Sequence, residues 1–313
     1  MRTPVQKLLV ILGPTATGKS DLAVELAELF NGEVISADSR QVYRGLDIGT
    51  GKITREEMHG IRHHLLDIAD PNDRFTVARW KAAAEEAVSD IAGRGKLPII
   101  CGGTGYYISA LIEGIEFPEI ETDAREQEEL ESKTAQDLYA ELQSLDPRRA
   151  ASMSKNGERT NRRRLARAIL IARKLGAVPA LSSDPLSKWK ADATGPYDPV
   201  IIGLNIPDAE LKARIRDRLI RRLDAGMIDE AVRLHENGLS FERMDELGLE
   251  YRYLAKLIRG DISRDELIET LSAKIWQYAR RQKTWFKRDD RIAWFSPSDR
   301  SAIIESVRRK LST

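Results

Sequence analysis

Eight consecutive residues, Gly13-Pro14-Thr15-Ala16-Thr17-Gly18-Lys19-Ser20, place glycines, a lysine and hydroxyls at the spacing of a phosphate-binding loop. The apolar run Leu8–Leu12 precedes them. A helical pattern of Leu22, Leu26, Leu29 and Phe30 follows and stops at Asn31-Gly32. A glycine backbone lets an anion approach closely. The free N–H groups and the dipole at the helix start favour negative charge. Lys19 supplies a point charge, and Ser20 can offer its hydroxyl to Mg²⁺. The loop indicates a di- or triphosphate ligand without specifying the reaction.

Two further segments place reactive groups where strands are expected to end. Asp38 follows the apolar run Val34–Ala37 and opens Asp38-Ser39-Arg40-Gln41-Val42-Tyr43-Arg44-Gly45-Leu46-Asp47-Ile48-Gly49-Thr50. Ligands of open α/β sheets bind beyond the carboxyl ends of the strands. A carboxylate there can hold Mg²⁺ through water or take a proton; a lone Asp after a strand is more often a turn cap, but the polar residues that follow this one weigh against that. Thr104 lies in Gly102-Gly103-Thr104-Gly105-Tyr106-Tyr107, after the run Leu97–Cys101. Its hydroxyl suits a phosphate or leaving oxygen, or a helix N-cap. Cys101 reads as a small buried hydrophobe. His63 and His64, adjacent on a strand, face opposite sides and suit structural hydrogen bonds better than a metal.

Basic residues gather on two expected helices. Arg163 and Arg167 share one face of the first, with Arg164 three residues before Arg167. Arg280, Lys283 and Lys287 line the second, near Trp276, Tyr278 and Trp285. Such runs are commonly solvated faces. One-signed arginine with aromatic neighbours also suits phosphates and bases.

These residues need a scaffold, and the pattern supplies one. Short apolar runs at Leu8–Leu12, Val34–Ala37, His64–Ile68 and Leu97–Cys101 alternate with helical patterns at Asp21–Phe30 and Thr76–Ala92. This predicts an α/β fold, a P-loop NTPase-like parallel sheet flanked by helices. Val200–Leu204 and Arg291–Phe295 are expected to add strands. Over 120–197 strand patterns vanish and charge rises, which predicts an all-helical insertion into a core of 1–119 and 198–313. Within it, Thr134 and Asp137 resemble a capping box ahead of Leu138, Leu142 and Leu145. Asp146-Pro147 marks a break, and Asn161–Leu175 reads as a helix closed by Gly176. Long helices are expected from Pro207-Asp208 through Leu223 and over Ser263–Lys287.

The 313 residues carry 42% hydrophobic and 32% charged residues, with a formal charge of +1. Basic and acidic residues are unevenly placed. Glu119 to Glu131 is acidic, whereas Arg159–Lys174 and Arg280–Arg288 are basic, and local stripes can bind nucleic acid in a near-neutral molecule. One cysteine excludes a disulfide framework and a cysteine metal site. No apolar run approaches a membrane span, and Met1–Lys7 lacks the apolar stretch of a signal peptide. A cytoplasmic protein is expected, with no membrane partner.

Taken together, the phosphate loop, Asp38–Thr50, His63-His64-Leu65-Leu66-Asp67, Gly102–Tyr107, Asn161–Ala168 and Arg280-Arg281-Gln282-Lys283-Thr284-Trp285-Phe286 resemble the tRNA dimethylallyltransferase (tRNA isopentenyltransferase) family. The motifs run in family order across nearly the whole chain. The resemblance implies transfer of a dimethylallyl group from dimethylallyl diphosphate to N6 of the adenosine just 3′ of the anticodon in tRNA, with Mg²⁺ as cofactor. It implies that Gly13–Ser20 binds the diphosphate, that Asp38 is the general base, and that Lys19, Thr104 and Arg214 act on the leaving diphosphate. Arg214 rests on the looser match Leu211–Arg218. Segments matching Asp38, Ser39, Arg40 and Gln41, then Arg163, Arg164 and Arg167, and Leu247, Gly248, Tyr251 and Arg252 are implied to contact the anticodon stem-loop. Glu250-Tyr251-Arg252 stands where many members carry Gly-Tyr, and Ile169-Leu170 where Leu-Glu is commoner. A monomer of the shorter bacterial type, without a zinc-finger extension, is expected.

A nucleoside or nucleotide kinase would explain the loop and sheet but not the arginine-rich insertion or Asp38–Thr50. An adenylate isopentenyltransferase would not need the insertion. An RNA-binding nucleotide switch would not need Asp38, Thr104 and Lys19 together.

Overall fold

The computed structural model describes residues 6–118, 120, 123–155, 157–178 and 195–312. Residues 1–5 of the amino-terminal segment, and Glu119 and Glu121 of the acidic run, lie outside the described residues. The chain forms two compact units, Met1–Ile115 with Lys188–Thr313, and Glu116–Ser187. The expected insertion, 120–197, starts four residues later than the second unit and ends ten residues later; residues 179–194 lie outside the described residues.

The first unit is built on strands β1 (Gln6–Leu12), β2 (Gly32–Ala37), β3 (His63–His64), β4 (Leu97–Gly102), β5 (Tyr197–Leu204) and β6 (Ala293–Phe295). Among the described residues they form one sheet, in the order β3-β2-β4-β1-β5-β6. Every pairing is parallel, as in Leu9 opposite Ile99 and Val200. Helices α1 (Lys19–Leu29), α2 (Val77–Gly93) and α3 (Gly105–Ile112) connect the first strands. Alternation along β1 feeds two cores. Leu8, Val10 and Leu12 join Trp80 of α2 and Ile108 of α3 on one face. Leu9 and Ile11 join Leu22 and Leu26 of α1 on the other. The fold is α/β and P-loop NTPase-like.

One strand expectation is corrected. In place of His64–Ile68, only His63–His64 pairs, because Leu65 and Asp67 adopt positive φ of 63° and 57° and leave the ladder. His64 Nε2 bonds Glu33 Oε2 at 2.8 Å and His63 Nδ1 bonds Ile61 O at 3.0 Å, both structural contacts. Cys101 is buried, and burial pushes its thiol up to about 12.

The helical unit contains α4 (Ala124–Ser132), α5 (Ala135–Leu145), α6 (Pro147–Lys155) and α7 (Arg162–Leu175). The Thr134–Asp137 capping box opens α5, and Asn161 caps α7. At the Asp146-Pro147 break, buried Asp146 accepts the N–H groups of Arg149 and Val178, both at 2.9 Å. Leu138, Leu142, Met153, Leu165 and Ile169 form this unit's own core.

After β5 the first unit continues with α8 (Asp208–Asp224), α9 (Met227–Glu236), α10 (Phe241–Leu247), α11 (Leu249–Ile258), α12 (Arg264–Phe286) and α13 (Arg300–Leu311). Leu211, Ile215 and Leu219 of α8 and Leu267, Leu271 and Ile275 of α12 pack on the β1 face that holds Leu8. Ile303 and Val307 of α13 pack on the opposite face. No described helix is long and apolar enough to cross a membrane.

Candidate active site

Three strand ends converge. β1 runs into the phosphate loop, β2 into Asp38 and β4 into Thr104. Gly18 takes φ 80° as the N-cap of α1, a left-handed conformation that costs glycine little. Ala16 also has positive φ, 62°, an unfavourable state for a residue with a Cβ and one that clusters at functional sites. Buried Thr17 donates to Pro14 O at 2.9 Å, and Lys19 Nζ donates to the same carbonyl at 2.7 Å. Burial lowers Lys19 to about 8. Cys101 and Asp38 oppose that shift, and Arg218 adds to it. Ser20 is exposed at the start of α1.

Thr104 hooks β4 to β2. Its N–H donates to Ala37 O at 3.1 Å, and its Oγ1 accepts the Ser39 N–H at 3.2 Å. It is the N-cap of α3, yet its side chain makes no cap bond. Asp38 Oδ1 accepts the N–H groups of Arg40 at 2.8 Å and Gln41 at 3.4 Å, which fixes the carboxylate plane. Trp80 stacks on Tyr107 with centroids 4.7 Å apart and donates to Ser36 O at 3.0 Å, holding the end of β2.

Arg214 is half exposed and pairs with Glu210 at 2.7 Å, one turn back on α8. Arg218 instead reaches the phosphate loop, with Nη1 3.4 Å from Thr15 Oγ1 and Nη2 donating to Gly51 O at 3.0 Å. Burial lowers its affinity for its proton, and Arg222 beside it adds to that. Sequence reasoning also missed Gln282. Its side chain is buried, accepts the Thr15 N–H at 3.0 Å and donates to Gly103 O at 2.9 Å, tying the phosphate loop to the β4 turn. Its signal was a polar residue in phase with Ile275, Ala279 and Phe286 on the buried face of α12.

The expected RNA contacts divide. Arg163, Arg164 and Arg167 are exposed on α7. Arg164 pairs with Glu158, and Arg167 Nη2 donates to Pro118 O at 3.2 Å. Gln41 Nε2 donates to Gly51 O at 3.3 Å. A Cβ on Gly248 would lie 3.9 Å from Arg40 Nη2, so those two segments adjoin. Leu247 and Tyr251, by contrast, are each 1% exposed and cannot meet RNA, because they form the apolar stripe of α10 and α11 with Leu254 and Ala255. Arg252 is exposed and pairs with Asp245 at 2.8 Å. On α12, Lys283 is drawn to Asp208 at 2.7 Å, so the basic face shifts. Gln277, Arg280, Arg281, Thr284, Trp285 and Arg288 line a cleft of about 440 Å³.

Among the described residues no group of three or more His, Cys, Asp or Glu side chains is arranged to hold a metal ion. The Ser20 hydroxyl and the Asp38 carboxylate are hard oxygen donors, and Mg²⁺ typically takes few protein ligands beside phosphate oxygens and water. The residues present fit Mg²⁺ on those terms.

The IPP transferase family matches residues 41–289, and a family described as isopentenyl transferase matches residues 6–75. The tRNA dimethylallyltransferase 2 of Pelobacter propionicus is 40% identical over 296 residues, 92% of this chain and 88% of that protein. The tRNA dimethylallyltransferase of Halalkalibacterium halodurans is 38% identical over 299 residues, 94% of this chain and 92% of that protein. The crystal structure of the full-length tRNA isopentenylpyrophosphate transferase from Bacillus halodurans superposes with a TM-score of 0.72 at 36% identity, covering 98% and 97% of the two chains. A eukaryotic dimethylallyltransferase acting on tRNA superposes with a TM-score of 0.79 at 27% identity, covering 98% of this chain and 77% of that one. The chain belongs to the IPP transferase family.

Proposed function

We propose that this tRNA prenyltransferase moves a dimethylallyl group from dimethylallyl diphosphate to N6 of the adenosine 3′-adjacent to the anticodon. The observation that carries this is the Asp38–Thr104 pair, hooked together through Ser39 beside a loop that holds Lys19 and, at Thr15, Arg218.

Adenine N6 is a weak nucleophile because its lone pair is delocalised into the ring. Asp38 Oδ1 is occupied by two backbone N–H groups, and among the described residues Oδ2 accepts no hydrogen bond. Oδ2 takes the N6 proton as N6 bonds C1 of the allyl group. The C1–O bond breaks, and its electron pair leaves with the diphosphate. Lys19, Arg218, the Thr104 hydroxyl and the loop N–H groups stabilise the growing charge. Mg²⁺ held by Ser20 and the diphosphate oxygens would neutralise the same charge. The target base leaves its stack to enter the pocket, at a cost of a few kcal/mol that a single-stranded loop keeps low. Arg163, Arg164 and Arg167 of the helical unit and the α12 cleft contact tRNA phosphates, and the protein acts as a cytoplasmic monomer.

The test is incubation with labelled dimethylallyl diphosphate, Mg²⁺ and unmodified tRNA, AMP or ATP. Label is expected on N6 of the tRNA adenosine, with diphosphate released and ATP untouched. Label on AMP alone would indicate a free-nucleotide acceptor. Phosphate on the acceptor with ATP consumed would indicate a kinase.

A further inference from the structure

The buried carboxylate of Glu230 is not explained by packing. It sits on α9 between Met227 and Ala231, on the face that carries the apolar contacts, and is 5% exposed. Its two oxygens accept three successive backbone N–H groups: Asp47 at 3.0 Å and Ile48 at 2.6 Å on Oε2, and Gly49 at 2.9 Å on Oε1. The Tyr251 hydroxyl donates to Oε1 at 2.7 Å. Burial and the neighbouring Glu230 charge raise the phenol well above its ordinary value, so it stays a donor.

The far side of the same turn seats three side chains, those of Arg222, Arg218 and Gln41. Gly49 O accepts Arg222 Nη1 at 2.9 Å, and Gly51 O accepts both Arg218 Nη2 at 3.0 Å and Gln41 Nε2 at 3.3 Å. The glycines of Gly49-Thr50-Gly51 follow from this clamp. A Cβ on Gly49 would lie 2.5 Å from the Tyr251 hydroxyl. One on Gly51, where φ is +61°, would lie 2.2 Å from Arg218 Nη2. Arg218 spans from this turn to Thr15 of the phosphate loop. The turn's height therefore sets the position of Arg218 and of Gln41 together.

We infer that Glu230, with Tyr251, is a positioning pair for the transfer reaction: it fixes the 47–51 turn on which Arg218 and Gln41 are seated. The inference rests on the proposed role of the loop as a diphosphate site. An amide cannot replace this carboxylate, since its NH₂ would face backbone N–H donors. Misplacing a catalytic group by about an ångström costs on the order of a hundredfold. Glu230→Gln is expected to lower kcat roughly tenfold to a hundredfold and to weaken inorganic diphosphate binding, read by calorimetry. Tyr251→Phe keeps the ring and removes one hydrogen bond to a carboxylate, so a drop of roughly fivefold in kcat is expected with the melting temperature lowered by only a few degrees.

A merely structural role would leave each loss intact whatever Arg218 is. A positioning role makes them overlap. In the Arg218→Ala background, Tyr251→Phe and Glu230→Gln are each expected to cost under about twofold more in kcat. Gly51→Ala should show the same overlap. Full additivity on Arg218→Ala, or normal kcat and diphosphate affinity in folded Tyr251→Phe, would overturn the inference. Diphosphate affinity is read without prenyl transfer. A wild-type protein that binds diphosphate but modifies no tRNA would therefore defeat the proposed function and leave this assignment to be judged by calorimetry.

Discussion

At the amino end of β2, Glu33 is enclosed by two cations and an imidazole. Arg94 grips it with Nη1 at 2.5 Å and Nη2 at 2.7 Å, Lys96 lies at 2.9 Å and His64 at 2.8 Å. At the carboxyl end of the same strand stands Asp38, with Lys19 and Arg218 close enough for its charge to act on both. Among the described residues these three form no ion pair with one another. Lys19 turns to Pro14 O, Asp38 to two backbone N–H groups, and Arg218 to Gly51 O and Thr15. One end neutralises its charges internally. The other satisfies each with a neutral backbone group and keeps the charge available for a ligand. Charges at the first end should therefore matter to folding, and those at the second to chemistry.

The sharpest way to break that contrast is Asp38→Ala. Turnover is expected to fall by roughly 10²–10⁴, the contribution of a positioned general base. Diphosphate affinity and melting temperature should change little. Near-normal single-turnover rates would remove Asp38 from the chemistry. Next comes the arginine pair on α8. Arg218→Ala should cost roughly 10²–10³ in kcat, as for loss of one charge-stabilising donor. Arg214→Ala, which removes only a half-exposed ion pair, should cost less than about threefold. Equal losses in the two variants would restore Arg214 to the site.

That arginine also shows where sequence reading ran out. Arg214, Arg218 and Arg222 each stand three residues after a buried leucine or isoleucine, so periodicity puts them on one line of α8. They differ only in height along the axis, and height against the 49–51 turn is a long-range fact. The phosphate loop, Asp38 and Thr104 were legible because each is local: a strand, a turn and a helix start in sequence. Five of the six strands were legible from their apolar runs. The sixth, at His64–Ile68, failed because positive φ at Leu65 and Asp67 leaves no mark in hydrophobic pattern. Gln282 and Glu230 were overlooked because their partners lie far away in the chain. Both nonetheless carried a sign, a polar residue on a buried helical face. Tyr251 was read as an RNA contact from resemblance, while its spacing from Leu247, Leu254 and Ala255 already placed it inward.

The amino end supplies the next test. Glu33→Gln should leave transfer rates unchanged and lower stability by roughly 2 kcal/mol. That is below the 3–5 kcal/mol for breaking a fully buried pair, because Arg94 and Lys96 are about a third open to solvent. Hydrogen bonds from Arg94 first, then Lys96 and His64, hold the Glu33 carboxyl well below the usual carboxylate range. Its folded pKa lies below the unfolded value, so its contribution is fully present above about pH 5 and is lost as pH falls. Denaturant titrations at pH 6, 4 and 3 should show a shallower acid loss for Glu33→Gln than for wild type. Parallel curves would mean the cluster is not what acid undoes.

The last effect is at Lys19, and it separates the two ends by sign. Burial lowers Lys19 to about 8, whereas the cations around Glu33 stabilise its charge. A lysine that must be charged to hold an anion binds fully below that value and progressively less above it. Inorganic diphosphate affinity should thus be flat from pH 6 to 7.5 and fall roughly tenfold by pH 9, one unit of proton loss. Lys19→Arg keeps its proton throughout that range, so its affinity, although weakened by the changed geometry, should show no such fall. Comparing the two proteins at each pH cancels the ionisation of diphosphate itself. An identical decline in both would mean that Lys19 stays protonated, that its carbonyl partner Pro14 O and the Asp38 field outweigh burial, and that the ligand-free site is less dry than its packing implies.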